Sequence, residues 1–437
     1  MVFQIIRPSS SSSPPMVFLL ILFIWLLLGF AVVVVSLLLV VGGGKGYNSD
    51  TITIDEGLIP IKIPLKGPGH LPIVAYCIFG WELGDGKRML RLLKSIYHPR
   101  NQYLLHLHSS NYYEKIELLF AVESQKEFRA FRNVHVVRKT NAVNLIQNQM
   151  AGASSLAAVL HSAALLLRIN ADWDWFTLLS SSDYPILTQD DILYALSSLP
   201  TRHLNFVRFN NGTRDHNKEI VVDPSLYTKQ DKKKKIPIFS GEQSREKADA
   251  FNTYTGSPWM VLSRSFMEHC VKGGLDNLPR KLLMYSANLA FPLHSYFHTL
   301  LCNTPEFQNT IVANIDLRYI LFRSNGTTSS SDHLLSAACY DQLVSIPAAF
   351  ARPFEQDDPL LDQIDRDILN RSPAGLVPGK WCTQGEGGRG GEDSTSYCSI
   401  WDDIDSVKPG KNGILFSQVI ANATKTSHQY CHTFKVL

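Results

Sequence analysis

Apolar and polar positions change period several times along this chain, and the changes divide it. Met16–Val41 carries no charged residue, with Gly29 and Ser36 its only non-apolar positions. At ~1.5 Å per residue such a helix reaches roughly 39 Å, enough for a ~30 Å hydrocarbon core with some tilt. The apolar part of a cleaved signal peptide is shorter, about 7–15 residues. Residues 1–15 therefore read as a cytoplasmic tail and 16–41 as a transmembrane anchor. Residues 42–70, polar and punctuated by Gly and Pro, read as a stem. The short head carrying Arg7 points to an inside N-terminus and a single-pass type II topology.

Residues 71–437 form the remaining domain, and to about residue 200 strand and helix patterns alternate. Ile73–Phe79 is an unbroken apolar run, as in a strand buried on both faces. Arg88–Tyr97 has a helical apolar face, Tyr103–Leu107 is a second strand, Ile116–Phe131 a helix, and Val134–Val137 a third strand. Ser154–Leu167 is a helix, Trp175–Leu179 a fourth strand, and Gln189–Leu199 a helix opened by Thr188. Further on come a strand-like Trp259–Leu262, helices from Ser265 and from about Phe297, and a strand-like Arg318–Phe322. The alternation predicts an α/β fold, a mostly parallel sheet with flanking helices. Such sheets bind ligands beyond the carboxyl ends of their strands.

Charge and cysteine content narrow the partners. Lys and Arg number 42 against 39 Asp and Glu, which predicts no nucleic-acid binding. Seven cysteines leave at least one thiol outside an intrachain pair; Cys382 and Cys398 are close enough in sequence to close a small loop. Asn-x-Ser/Thr triplets stand at Asn211, Asn325 and Asn422, and at Asn370, where Pro373 weakens the signal. Behind a type II anchor they predict glycosylation in a secretory lumen.

Candidate chemistry lies just past the strands. Asp172-Trp173-Asp174 has the spacing of a metal-holding pair, but it precedes its strand and so faces the wrong edge; a capping or turn role is expected. Asp183 follows the same strand in Ser182-Asp183-Tyr184-Pro185, where a carboxylate can bind sugar hydroxyls or cap a turn. Thr255-Gly256-Ser257-Pro258-Trp259 offers an indole that either stacks on a sugar ring or fills the core. His294 stands before Tyr296-Phe297-His298-Thr299. No zinc spacing, Walker loop or Gly-x-Ser-x-Gly elbow occurs.

Several segments in order resemble the plant branch of glycosyltransferase family 14, related to the animal core-2 and I-branching N-acetylglucosaminyltransferases. They include Gly84-Asp85, Tyr97-His98-Pro99-Arg100-Asn101, Trp173-Asp174-Trp175-Phe176, Ser182-Asp183-Tyr184-Pro185, Thr255-Gly256-Ser257, Tyr296-Phe297-His298-Thr299 and Phe350-Ala351-Arg352. The resemblance implies a Golgi type II enzyme with a GT-A-like fold. It implies inverting transfer from a UDP-sugar to a glycan hydroxyl, without a metal or other cofactor. Glucuronic acid is the first donor expected, and arabinogalactan galactose the first acceptor.

By the same resemblance His294 stands where the family places its carboxylate base. His108 stands where a nucleotide-contacting Asp is expected. Pro353 replaces a Lys, which leaves Arg352 to face the diphosphate. The implied site is therefore His294 as catalytic base, His108, Asp183 and Arg352 on the donor, and Ser257 and Trp259 on the acceptor. The competing reading is a paralogue of low or no activity that binds glycan or scaffolds other transferases.

Overall fold

The structure is a computed structural model that describes residues 63–67, 69–108, 112–137, 151–210, 218–220, 223, 228–231, 234–238, 243–244, 249–273, 277–321, 335–383, 400–425 and 431. All of them lie in one compact unit, Pro60–Leu437. The expected tail and anchor, most of the stem, and Asn211 and Asn325 fall outside the described residues. Among the described residues no helix is long and apolar enough to cross a membrane.

The apolar run becomes β1 (Val74–Gly80), buried at all seven positions. Its side chains alternate between two cores, as the period-2 geometry of a strand requires. Val74, Tyr76 and Ile78 enter one core with Leu92, Leu193 and Phe350. Ala75, Cys77 and Phe79 enter the other with Leu166, Phe176 and Phe297. Beyond β1 the chain turns at Gly84, whose φ of 96° lies in the left-handed region that favours glycine. There α1 (Asp85–Ser95) begins. Asp85 accepts hydrogen bonds from the N–H groups of Trp81 and Glu82, which fixes that turn.

Next come β2 (Gln102–Leu107), α2 (Tyr112–Ser124), α3 (Lys126–Phe131), β3 (Val134–Val136), α4 (Ala153–Ile169), β4 (Trp175–Ser180), the short β5 (Tyr184–Pro185) and α5 (Gln189–Ser197). A capping box of Thr188 and Asp191 opens α5. The helix expected over Ile116–Phe131 is two, parted at Gln125, where the backbone is extended.

After β6 (Asn205–Val207) come β7 (Val261–Ser263), α6 (Arg264–Lys272), α7 (Leu278–Tyr285), α8 (Tyr296–Asn303), β8 (Ile311–Ala313), β9 (Arg318–Ile320), β10 (Phe350–Arg352), α9 (Pro359–Asp367) and α10 (Lys411–Lys425). Strands order as β8-β6-β7-β4-β1-β2-β3. Neighbours run parallel except β7, which is antiparallel to both β4 and β6. The sheet is thus mixed and parallel-dominated, where alternation alone predicts no reversal. A three-stranded sheet, β9-β10-β5, sits beside it and sets Ala351 against Tyr184.

This topology decides which residues can meet. Because β7 is reversed between two parallel-running strands, its amino end lies at the same edge as the carboxyl ends of β1, β2, β4, β6 and β8. The Gly256–Trp259 loop before β7 therefore shares an edge with His108, Asp183 and the residues just after β6 and β8. A Cys302–Cys431 disulfide ties the end of α8 to the C-terminal segment. Cys382 is also disulfide-bonded, while Cys398, its expected partner, is outside the described residues. Cys77, Cys270 and Cys339 are free thiols.

Candidate active site

Asp183 is the hub of that edge. Its Oδ2 accepts the Ser180 N–H at 2.6 Å and the Ser180 hydroxyl at 2.5 Å. Its Oδ1 accepts Arg318 Nη1 at 3.1 Å and lies 3.4 Å from Arg352 Nε. Asp183 and Arg318 side chains are both fully buried. Arg318 also donates to the Leu178 carbonyl. Burial lowers the pKa of both guanidiniums, and the Asp183 carboxylate opposes it. Asp183 thus anchors two cations, which is a different task from binding a sugar hydroxyl directly. A small cleft of about 60 Å³ reaches it between Lys87 and Arg88 of α1 and the Phe354–Asp357 stretch.

Trp259 is 5 % exposed. The Arg352 guanidinium lies 3.9 Å from its ring centroid and that of Arg318 5.2 Å. The indole face that a sugar was expected to use therefore carries cations, an attraction worth about 2 kcal/mol or more once desolvated. Two residues earlier, in a turn where its hydroxyl accepts the Trp259 N–H at 3.2 Å, Ser257 also lies by Asp316. Burial raises the pKa of the Asp316 carboxyl, while Arg208, Arg318 and Ser257 work against the rise. Arg208 Nη2 reaches Asp316 Oδ1 at 3.1 Å.

His294 joins the same loop from its other side. It ends a short 3-10 turn, Pro292–His294, ahead of α8. Its Nδ1 lies 2.9 Å from the Gly256 carbonyl, and the Gly256 N–H donates to the His294 carbonyl at 2.8 Å. A carbonyl only accepts, so Nδ1 carries the proton, and in the neutral ring the lone pair is on Nε2. Gly256 must be glycine. A Cβ there would lie 2.1 Å from the Arg208 carbonyl and 2.2 Å from His298 Nε2.

His108 lies elsewhere on the edge. It is 8 % exposed, stacked on Phe79 at 5.8 Å and packed against His106 at 4.0 Å. Burial holds His106 far below an ordinary imidazole pKa. The structure thus brings His294, Ser257, Trp259, Arg352 and Asp183 into one network and leaves His108 in a neighbouring aromatic stack. Asn422 is exposed on the last turn of α10.

Arg208, Asp316 and Arg318 are not singled out by the sequence pattern. The one signal is Arg318 itself, an arginine in an otherwise apolar strand pattern, which demands a buried partner. The Asp172/Asp174 pair sits at the opposite edge as expected. Asp174 accepts the Ile73 N–H at 2.8 Å and Arg202 at 2.8 Å, and Asp172 pairs with Lys66.

The Core-2/I-Branching enzyme family matches residues 74–338. Beta-glucuronosyltransferase GlcAT14A of Arabidopsis thaliana is 39% identical over 362 residues, 82% of this chain and 76% of that protein. GlcAT14B of the same plant is 37% identical over 391 residues, 88% of this chain and 85% of that protein. Among solved structures, the galactosyltransferase LgtC with donor and acceptor sugar analogues aligns over 66% of this chain and 88% of that one. At a TM-score of 0.34 and 9% identity it is too remote to bear on this chain's chemistry. The matched span covers every strand of the large sheet and the network around Asp183 up to Arg318, and the chain belongs to the Core-2/I-branching enzyme family of glycosyltransferases.

Proposed function

We propose that this chain transfers a glucuronosyl group, with inversion, from UDP-glucuronate to a glycan hydroxyl in the Golgi lumen, arabinogalactan galactose being the acceptor class. One observation carries the reading. The Gly256–Trp259 loop holds a candidate base and a candidate phosphate cation at its two ends, His294 through the Gly256 carbonyl and Arg352 under the Trp259 ring. The acceptor oxygen attacks the anomeric carbon and its proton passes to His294 Nε2, while UDP departs and Arg352 balances its charge. The fold is read as GT-A-like, from the reversed β7 inside a parallel-dominated sheet. The donor follows from the GlcAT14 relatives, and the lumenal location gains support from the two disulfide-bonded sites. The anchor is Met16–Val41, giving a type II protein. Asp172 and Asp174 are engaged at the far edge, so transfer is read as metal-independent.

The test is the full-length protein in detergent with UDP-glucuronate, β-galactan oligosaccharides and EDTA. A β-linked glucuronosyl product is expected, together with a glycosidase-sensitive gel shift and protease protection of the C-terminus in intact microsomes. Absence of product with UDP-glucuronate, UDP-xylose and UDP-N-acetylglucosamine alike would leave the glycan-binding paralogue instead. Failure of His294→Glu combined with Pro353→Lys to restore transfer would confirm that outcome.

A further inference from the structure

We infer that Arg208 is the group that recognises the donor's uronate carboxylate and so selects a glucuronosyl over a neutral sugar; this rests on the glucuronosyl reading above. Arg208 leaves the carboxyl end of β6, and its backbone is pinned. Its carbonyl accepts from the Ser257 N–H at 2.8 Å and lies 3.2 Å from His298 Nε2. The side chain reaches Asp316, which the Ser257 hydroxyl also touches.

The three guanidiniums of the network are not equivalent. Arg318 is fully buried and already bonded to Asp183 and the Leu178 carbonyl. Arg352 is 16% exposed and held by Asp183, Ser180 and the indole. Arg208 is 35% exposed and, among the described residues, pairs with Asp316 alone through Nη2; the Nε atoms of all three are buried without a hydrogen-bond partner, so exposure is what sets Arg208 apart. Arg208 is thus the guanidinium of the three that a ligand can reach most readily. The network holds three guanidiniums against the carboxylates of Asp183 and Asp316, so it keeps one positive charge in excess.

A planar carboxylate fits a guanidinium by two charge-assisted hydrogen bonds. A neutral hexose offers a hydroxymethyl at the same carbon and cannot form that charged pair. On the reading above Arg352, held over Trp259, answers the diphosphate, and Arg208 is paired with Asp316 beside Ser257. Arg208 is then the remaining partly exposed cation of the network for a charged C6 substituent.

The test is isothermal titration of the full-length protein with UDP-glucuronate, UDP-glucose and UDP. Binding is read, so loss of the transfer reading, which is tested by product formation, is seen separately. Wild type should prefer UDP-glucuronate over UDP-glucose by about tenfold to a hundredfold. Arg208→Met should abolish that preference, and Arg208→Lys should keep part of it. Arg208→Met with Asp316→Asn removes the buried carboxylate left unpaired by the single change, and it should show the same loss in a folded protein. An undiminished preference in the double variant, or no preference in wild type, overturns the assignment.

Discussion

Strand β4 has acidic residues at both of its ends, and the two ends differ in what surrounds them. At the entry, the Asp174 side chain is 18% exposed and its partner Arg202 26% exposed. At the exit, Asp183 and Arg318 are wholly buried. Both carboxylates also accept a backbone N–H, from Ile73 at the entry and Ser180 at the exit. Only the exit carboxylate belongs to a network that ends in partly exposed cations and an imidazole. Strand polarity explains this. The carboxyl edge collects the ends of the parallel-running strands and the loop that precedes the reversed β7, whereas the entry meets the chain arriving from Lys66 and His70. The entry acid therefore closes a seam, and the exit acid tensions a site.

The comparison breaks most sharply at His294. If the exit edge is the catalytic one, His294→Ala should lower transfer by about 10²–10⁴-fold, the usual share of a general base. His294→Ala should leave the unfolding midpoint close to wild type, because the ring is only half buried. The pair of measurements, initial rate and thermal midpoint, separates a lost base from a lost fold. A variant with undiminished transfer would move the chemistry away from the Gly256 loop.

A second prediction compares the two acids directly. Asp183→Ala leaves Arg318 buried without its carboxylate, a loss of about 3–5 kcal/mol. Asp174→Ala removes a partly exposed pair and one hydrogen bond, about 1 kcal/mol. Thermal unfolding should show a several-fold larger fall for Asp183→Ala. Equal falls would mean that Arg318 finds another partner in the network and that Asp183 is no hub.

Much of the scaffold is legible in the amino-acid pattern. The unbroken run at Ile73–Phe79 can only be a strand buried on both faces, and Thr188 with Asp191 marks a helix start to the residue. The order of the first four strands and their helices follows from period changes alone. The reversal of β7 does not, because Val-Leu-Ser carries no mark of direction; its pairing is settled by tertiary contacts with β4 and β6. The same holds for the site. Asp183, Trp259, Arg352 and His294 can be named from sequence, but their roles depend on Arg318, which lies 135 residues beyond Asp183. Buried ion pairs of that separation leave only half their signal at each position. Trp259 shows the consequence, since an aromatic beside small residues reads equally as a sugar platform or a core residue, and the two guanidiniums on it are not visible in sequence.

Asp190, in the first turn of α5, sharpens the comparison, because among the described residues it has no ion-pair partner. Its Oδ2 accepts the N–H groups of Lys380 and Lys408, at 2.9 and 2.8 Å. Burial pushes its pKa up to about 6, against those hydrogen bonds. A carboxyl raised above its unfolded value contributes stability below the unfolded pKa, and loses it as pH rises through about 6. Near pH 7 ionised Asp190 therefore opposes folding. Asp190→Asn keeps an acceptor for both N–H groups and removes the charge, so it should raise stability by up to about 3 kcal/mol at pH 7. The gain should shrink towards pH 4. Unfolding midpoints of both proteins from pH 4 to 8 check this, and a pH-independent difference would show that Asp190 does not titrate in that range.

The smallest expected effect tests the entry end of β4. Asp-x-Asp at a strand's carboxyl edge can hold a divalent ion against a diphosphate, but here the pair precedes the strand. Asp172 is half exposed beside Lys66, and Asp174 is committed to Arg202 and the Ile73 N–H. Changing both to Asn keeps the side-chain acceptors and removes the charges. Transfer by the Asp172→Asn/Asp174→Asn protein should stay within about twofold of wild type, and transfer by wild type should survive EDTA. A tenfold fall on chelation, about 1.4 kcal/mol of transition-state stabilisation, reversed by manganese in wild type and not in the double variant, would place a metal at the entry end. Reversal by manganese in both proteins would place it elsewhere. In either case the guanidiniums at the exit would no longer be the sole answer to the charge of the departing diphosphate.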